Sequence, residues 1–492
     1  MRDLAAPRAM NPENSKPQSA IAAPPASFRQ VGIVPLLFLT YAYTTGGPFG
    51  YEAIFSLSGP GLGLLFLLAV PFLYSLPMSL AAMEMNSFLP VQGGFYRWVR
   101  AGGGDFWGFQ SGWWNWTGTF LMNSAYGVLF MDYAGPYLGK YVMPAALLRI
   151  GEHNAAAALA AAKWLGAALF LWLIAYANIR GIQVAGWVAI ALQAAILIPV
   201  AWFCVAALGG WKHDPFTPFV PPAQTLSTSF GAGLALAIWL YSGYEQLSSV
   251  AEEVKDSRRT FARVLLWMTP LAILTYVTPA LLGLAALGNW SEWDTGYMTR
   301  AAQQLGGPAL GAAMLLASAI SVASLSNSTV LSVSRVPYAM AQDGYLPRWL
   351  AALHPKYGTP ARAIVMATVL CCALAVGNVV GLITVYIWTR IASSILTVLA
   401  AWQLRKRMPD APRSFRIGYG ALGMAYAVGV PALFCAASLV AIHARESSMT
   451  PPALALLATG PLAFLVFRWT LRPAARSSAP SQPASTVSRG AR

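Results

Sequence analysis

Apolar residues in this chain are gathered into long blocks rather than spread along one face of each segment. Stretches 62–82, 184–208 and 264–287 contain no charged residue at all. A run of about twenty residues, rising 1.5 Å each as helix, matches the roughly 30 Å hydrocarbon slab of a bilayer. Helix is the expected form, because a backbone in lipid must satisfy its polar groups within its own segment. The ten-residue alternation of a membrane barrel is absent from the sequence. The pattern predicts twelve membrane-spanning helices near 31–58, 62–85, 106–134, 155–177, 182–209, 229–251, 264–288, 307–333, 363–378, 380–404, 420–442 and 452–467.

Two spans interrupt this pattern. In the first, Gly46, Gly47, Pro48 and Gly50 fall at mid-span and are followed by Glu52. Proline removes a backbone donor and glycine disfavours helix, so an unwound segment is predicted there. In the sixth, an apolar half ends at Tyr241, Ser242 and Gly243 interrupt it, and Tyr244 and Glu245 open a more polar half. Spans one and six are equivalent if 31–209 and 229–404 are two five-helix repeats. The odd number of helices makes the second repeat inverted, and 420–467 adds two helices. Broken helices at matching places in two repeats point to a solute site between them.

Composition and charge sharpen the picture. The chain of 492 residues is 57% hydrophobic and only 10% charged, against roughly a quarter charged in soluble domains. Its net charge of +15 read alone suggests nucleic acid. The distribution argues otherwise. If the N-terminus is cytoplasmic, 25 of the 32 Lys and Arg residues fall on inner segments, six on the outer side, and Arg390 within a span. That asymmetry is the positive-inside rule, which predicts a cytoplasmic-membrane protein with both termini inside and no nucleic-acid partner. Residues 1–30 and 473–492, rich in small residues and proline or serine, are expected to be disordered cytoplasmic ends. The four cysteines lie in apolar spans and the four histidines in loops or at span ends, so no metal site or cofactor is predicted.

Acids inside spans are functional candidates, because a carboxylate there is costly. Glu52 and Glu245 each fall just after a break, where they are placed to attract an ammonium group or carry a coupling proton. A first-turn acid also complements a helix dipole, and that alternative stays open for both. Glu84 and Asp132 lie nearer span ends, where local pairing is expected. The segments around Gly46, Gly47, Gly50, Ser242 and Gly243 are expected to line the site. Trp239, Tyr241, Tyr244 and Tyr126 offer aromatic faces to a cation, and Asn123 a polar contact. Ser324 and Ser328 in the eighth span are a possible cation site; small polar residues there also serve close helix packing.

The run 46–52 (GGPFGYE), 83–98 (MEMNSFLPVQGGFYRW), 106–114 (FWGFQSGWW), 129–133 (LFMDY), 243–245 (GYE) and 356–360 (KYGTP) together resemble the amino acid–polyamine–organocation superfamily. Within it, the chain is most similar to the polyamine:proton symporter branch. The resemblance covers about residues 33–442. It implies an all-α, LeuT-type fold of two inverted five-helix repeats plus two C-terminal helices. It also implies uptake of polyamines or amino acids by alternating access, with a proton favoured over sodium as coupling ion. Two departures stand out. Met122 replaces an acid common in the polyamine branch, and the fifth span, 183–208, lacks the lysine that several proton-dependent relatives carry. Amino acid exchange, sodium-coupled symport and a solute-sensing receptor on the same scaffold are the alternatives. The sequence leaves the substrate and the oligomeric state open.

Overall fold

The computed structural model describes residues 30–142, 152–222, 224–294, 296–377, 379–445 and 447–477. Of the ends expected to be disordered, 1–29 and 478–492 lie outside the described residues. The described secondary structure is helical, with one isolated bridge between Val31 and Val254 in place of any sheet.

The first apolar block forms two short helices, α1 (Ile33–Thr44) and α2 (Ala53–Ser58), separated by the glycine-rich segment. A turn at Gly59 then starts α3 (Pro60–Phe88), which has proline at its first position, where the missing N–H costs nothing. Pro71 within α3 lacks the N–H that would complete the ladder, and the helix widens into a π turn over Pro71–Ser75. After the short α4 (Gly94–Gly103) come α5 (Asp105–Val142), α6 (Glu152–Ile179) and α7 (Ile182–Leu208). The sixth block forms α8 (Leu226–Leu240), a break, and a 3₁₀ segment, Gln246–Glu253. The remainder comprises α9 (Ser257–Leu287), α10 (Tyr297–Val333), α11 (Arg335–Gln342), α12 (Ala361–Leu374), α13 (Val379–Arg407), α14 (Gly420–Ala444) and α15 (Thr450–Ser477).

Among the described residues, eight helices are long and apolar enough to cross a membrane, and α1 and α12 are shorter apolar helices. Burial of the apolar window separates central from peripheral elements: 67% in α13 against 17% in α6. Polar side chains on α13 therefore face protein. The outer surface is apolar, with Leu165, Leu169, Trp187, Ile198, Leu274 and Leu433 all exposed. The interior holds polar groups such as Ser321, Ser324, Asn327, Thr389 and Arg390. A surface this apolar suits hydrocarbon as its solvent.

Helix α1 packs against α7, α9 and α10, while α13 runs along α5 and α4. These elements surround both breaks. At one end of the bundle, ion pairs knit the short connecting helices together: Arg335 to Glu253 at 3.0 Å, and Arg97 and Arg100 to Asp343 at 3.4 and 2.9 Å.

Candidate functional site

In the first break, Gly46, Gly47 and Gly50 all adopt positive φ, at 54°, 107° and 81°. Such backbone is open to glycine and strained for other residues. Space is as restrictive as conformation. A Cβ on Gly46 would lie 2.6 Å from Leu325 of α10, and one on Gly47 would lie 2.6 Å from Ile196 of α7. In the second break Gly243 has φ 107°. Each break packs on an aromatic ring of the other: Gly50 lies under Trp239, and Gly243 lies against Tyr43. The two unwound segments thus form one unit.

Neighbouring helices satisfy much of the freed backbone. The Tyr276 hydroxyl of α9 donates to the Thr45 carbonyl at 2.8 Å, and the Ser75 hydroxyl of α3 donates to the Tyr241 carbonyl at 2.8 Å. Ser242 folds its hydroxyl back onto the Trp239 carbonyl at 2.9 Å. Bare carbonyls inside a membrane protein need such partners or a cavity.

Between the breaks lies a narrow cavity. The first break contributes Tyr43, Thr44, Thr45 and Phe49, and the second Trp239, Leu240 and Ser242. Helices α5, α9, α10 and α13 close it with Met122 and Tyr126, Tyr276, Leu325 and Thr329, and Tyr386. No lining residue is charged. The wall is aromatic rings and hydroxyls, which can hold an ammonium group through ring faces and hydrogen bonds.

The structure distributes the residues singled out by sequence as follows. Trp239, Ser242 and Tyr126 line the cavity, and Gly46, Gly47, Gly50 and Gly243 build the breaks beside it. Tyr241 is turned away, its hydroxyl donating to the Leu67 carbonyl at 2.8 Å, and Tyr244 is buried outside the lining. Asn123 is also turned away. It accepts a hydrogen bond from Ser326 at 3.0 Å, which leaves Met122 as the α5 residue on the wall at that level.

Glu245 is not free. Its carboxylate is ion-paired with Arg390 of α13, both side chains being buried, and Gln246 donates to it at 3.4 Å. Arg390 keeps two buried donors, Nε and Nη1, without a hydrogen-bond partner among the described residues. One turn before it on α13, Tyr386 lines the cavity. Glu52 is fully buried, makes no ion pair among the described residues, and lies outside the lining. Neither of its oxygens has a hydrogen-bond partner among the described residues.

At the candidate cation site, Ser324 accepts a hydrogen bond from Gln193 of α7 at 2.8 Å, while the Ser328 hydroxyl has no partner among the described residues. Glu84 pairs with Arg405 at 2.9 Å and with Arg413 at 3.4 Å, and Asp132 pairs with Lys163 at 3.5 Å, as their places near span ends predict.

Sequence reasoning missed Tyr43, Phe49, Tyr276 and Tyr386, and gave no role to Arg390. The chain has 60 aromatic residues, so composition alone singles out no ring. Arg390 did carry a signal: a lone basic residue inside a span requires a buried partner.

The sequence model of the amino acid permease family matches residues 36–464, a stretch that includes both breaks and the whole cavity lining. The polyamine transporter PUT1 of Oryza sativa subsp. japonica is 30% identical over 81% of this chain and 71% of its own length. A probable polyamine transporter of Arabidopsis thaliana is 29% identical over 83% of this chain and 81% of its own. The polyamine transporter RMV1 of Arabidopsis thaliana is 27% identical over 80% and 77%.

Proposed function

This chain belongs to the amino acid permease family, and from that premise we propose that it takes up polyamines or amino acids across the cytoplasmic membrane by alternating access coupled to proton entry. It is a multi-pass membrane transporter rather than an enzyme. The proposed topology is twelve spans in two inverted five-helix repeats, 31–209 and 229–404, with two helices after them and both termini inside. The paired breaks support the repeats, and the uneven placement of Lys and Arg supports the orientation.

The observation that carries the substrate class is the aromatic, uncharged cavity, whose Tyr386 stands one turn from the Arg390 that pairs with Glu245. A polyamine brings ammonium groups and no carboxylate. Its charge suits the faces of Tyr43, Trp239 and Tyr386, and one ammonium can compete with Arg390 for Glu245. Such an exchange would give the substrate different contacts in different states, which any ligand-driven change requires. It would also couple the second break to α13. The names of the relatives point the same way.

Glu52 is the proposed proton carrier, being buried with no cation paired to it among the described residues. Glu245 is the other candidate, through release from Arg390. Sodium at Ser324 and Ser328 is less well supported, because the Gln193 amide donates to Ser324 where a cation needs its oxygen. Amino acids are the second reading, favoured by the two unpartnered donors of Arg390, which suit a carboxylate.

Reconstituted protein decides between these. Labelled putrescine or spermidine should accumulate in proteoliposomes under an inward proton gradient and not under a sodium gradient alone. Accumulation of amino acids only would transfer the assignment to the second reading. Binding without counterflow would make the protein a receptor.

A further inference from the structure

A second, narrow cleft shares no lining residue with the first. It lies between the α6–α7 connection and the turn before α12. Arg180, Gln183, Glu253, Lys356, Tyr357 and Thr359 are among its walls. The turn contributes 356–359 of the KYGTP run, a motif for which the central site has no use. The Thr359 hydroxyl donates to the Ile179 carbonyl at 2.7 Å and holds the two connections together.

The cleft has uncompensated positive charge. The Arg180 guanidinium meets neutral Tyr176, whose hydroxyl accepts from it and whose ring lies 4.8 Å away. The Lys356 ammonium rests over the Tyr357 ring at 5.5 Å. Neither cation meets a carboxylate among the described residues. Glu253, the single acid on the wall, is engaged by Arg335 at 3.0 and 3.3 Å. The start of α7 on the floor carries no acid in its first turn, so its backbone N–H groups add to the two cations. A guanidinium, an ammonium and free amides together match the several acceptor oxygens of a phosphate ester.

The surroundings identify its source. Val184 on the cleft wall and Trp187 one turn along α7 are 42% and 70% exposed, an apolar ridge on the bilayer-facing surface that leads away from the cleft. The connections that line the cleft belong to the side expected to carry most of the Lys and Arg residues. Juxtamembrane cations on that face attract anionic headgroups. We infer that this cleft binds the phosphate of an anionic phospholipid headgroup, with Arg180 and Lys356 as its ligands and the acyl chain along Val184 and Trp187.

Native mass spectrometry of the full chain, titrated with phosphatidylglycerol or phosphatidylcholine, tests this. Wild type should retain phosphatidylglycerol in preference to phosphatidylcholine. The double variant R180Q/K356Q should bind phosphatidylglycerol about tenfold more weakly. Both side chains are exposed, so its melting midpoint should match wild type and show that the fold is intact. R258Q/R259Q removes equal charge from the same face and should bind as wild type does. Unchanged binding in R180Q/K356Q, or an equal loss in R258Q/R259Q, would overturn the site. Complete displacement of the lipid by millimolar inorganic phosphate would overturn the lipid assignment in favour of a soluble phosphate.

Discussion

In the first break, between Thr44 and Ala53, the acid that follows the glycines is buried with no cation against it. In the second, between Leu240 and Gln246, the acid is clamped by Arg390. The two segments share their sequence signature and their backbone. Glycines at positive φ open both, and each packs on a ring belonging to the other. Their electrostatics differ because of what distant helices bring. Helix α13 supplies a cation to Glu245, and no described helix supplies one to Glu52. A buried carboxylate without a cation is poised to exchange a proton, whereas an ion-paired one is poised to exchange its partner. The two breaks therefore suit division of labour: coupling at one, substrate at the other.

The strongest way to break this comparison is to remove the cation. Arg390→Met leaves Glu245 buried and alone, and should cost about 3–5 kcal/mol of stability along with uptake. Adding Glu245→Gln to that variant removes the orphaned charge. The double variant should recover most of the lost melting temperature in detergent and still transport nothing. Equal melting of the single and double variants would mean that the pair does not hold the second break.

Much of this arrangement was legible in the sequence, and the reason the rest was not is physical. Breaks disclose themselves locally, because glycine and proline act on the backbone where they stand. Gly46, Gly47, Gly50 and Gly243 could be read directly, and the structure gives all four the positive φ that makes other residues strained. Pairing does not disclose itself locally. Glu245 and Arg390 lie 145 positions apart, and no pattern near either shows that they meet. Asn123 and Met122 are the opposite lesson: polarity suggested that Asn123 faces the solute, but helix rotation turned it to Ser326 and put Met122 on the wall. Adjacent residues on a helix point about 100° apart, so a correct helix with an unknown rotation exchanges one for the other.

A smaller effect comes from filling the first break while leaving the ion pair untouched. Gly47→Leu places a side chain against Ile196 on backbone of φ 107°. The overpacking should cost about 1–3 kcal/mol, expressed as lost substrate affinity in a thermal-shift titration with spermidine. Affinity equal to wild type would mean that the break is a kink with no part in the site. The aromatic wall is next in size. Trp239→Leu removes a ring face but no charge, and should weaken polyamine binding by about 0.5–2 kcal/mol, roughly two- to thirtyfold. A neutral solute of similar length should lose less, so the ratio of the two losses reports cation recognition specifically.

Glu52→Gln should disturb the fold least and separates the two acids most cleanly. Glu52 has no ion pair to lose, and glutamine matches its size, so stability should change by under about 1 kcal/mol. The opposite holds for Glu245→Gln, which strands Arg390 in the interior. If Glu52 carries the proton, Glu52→Gln should abolish accumulation driven by a proton gradient. Counterflow, which exchanges labelled for unlabelled substrate without net proton movement, should continue. Glu245→Gln should abolish both, because the substrate then has no carboxylate to take from Arg390. Measured side by side in proteoliposomes, loss of counterflow in the Glu52 variant would place that acid at the substrate rather than at the proton. Retention of gradient-driven uptake there would shift coupling to Glu245, and the two breaks would then differ in structure without differing in task.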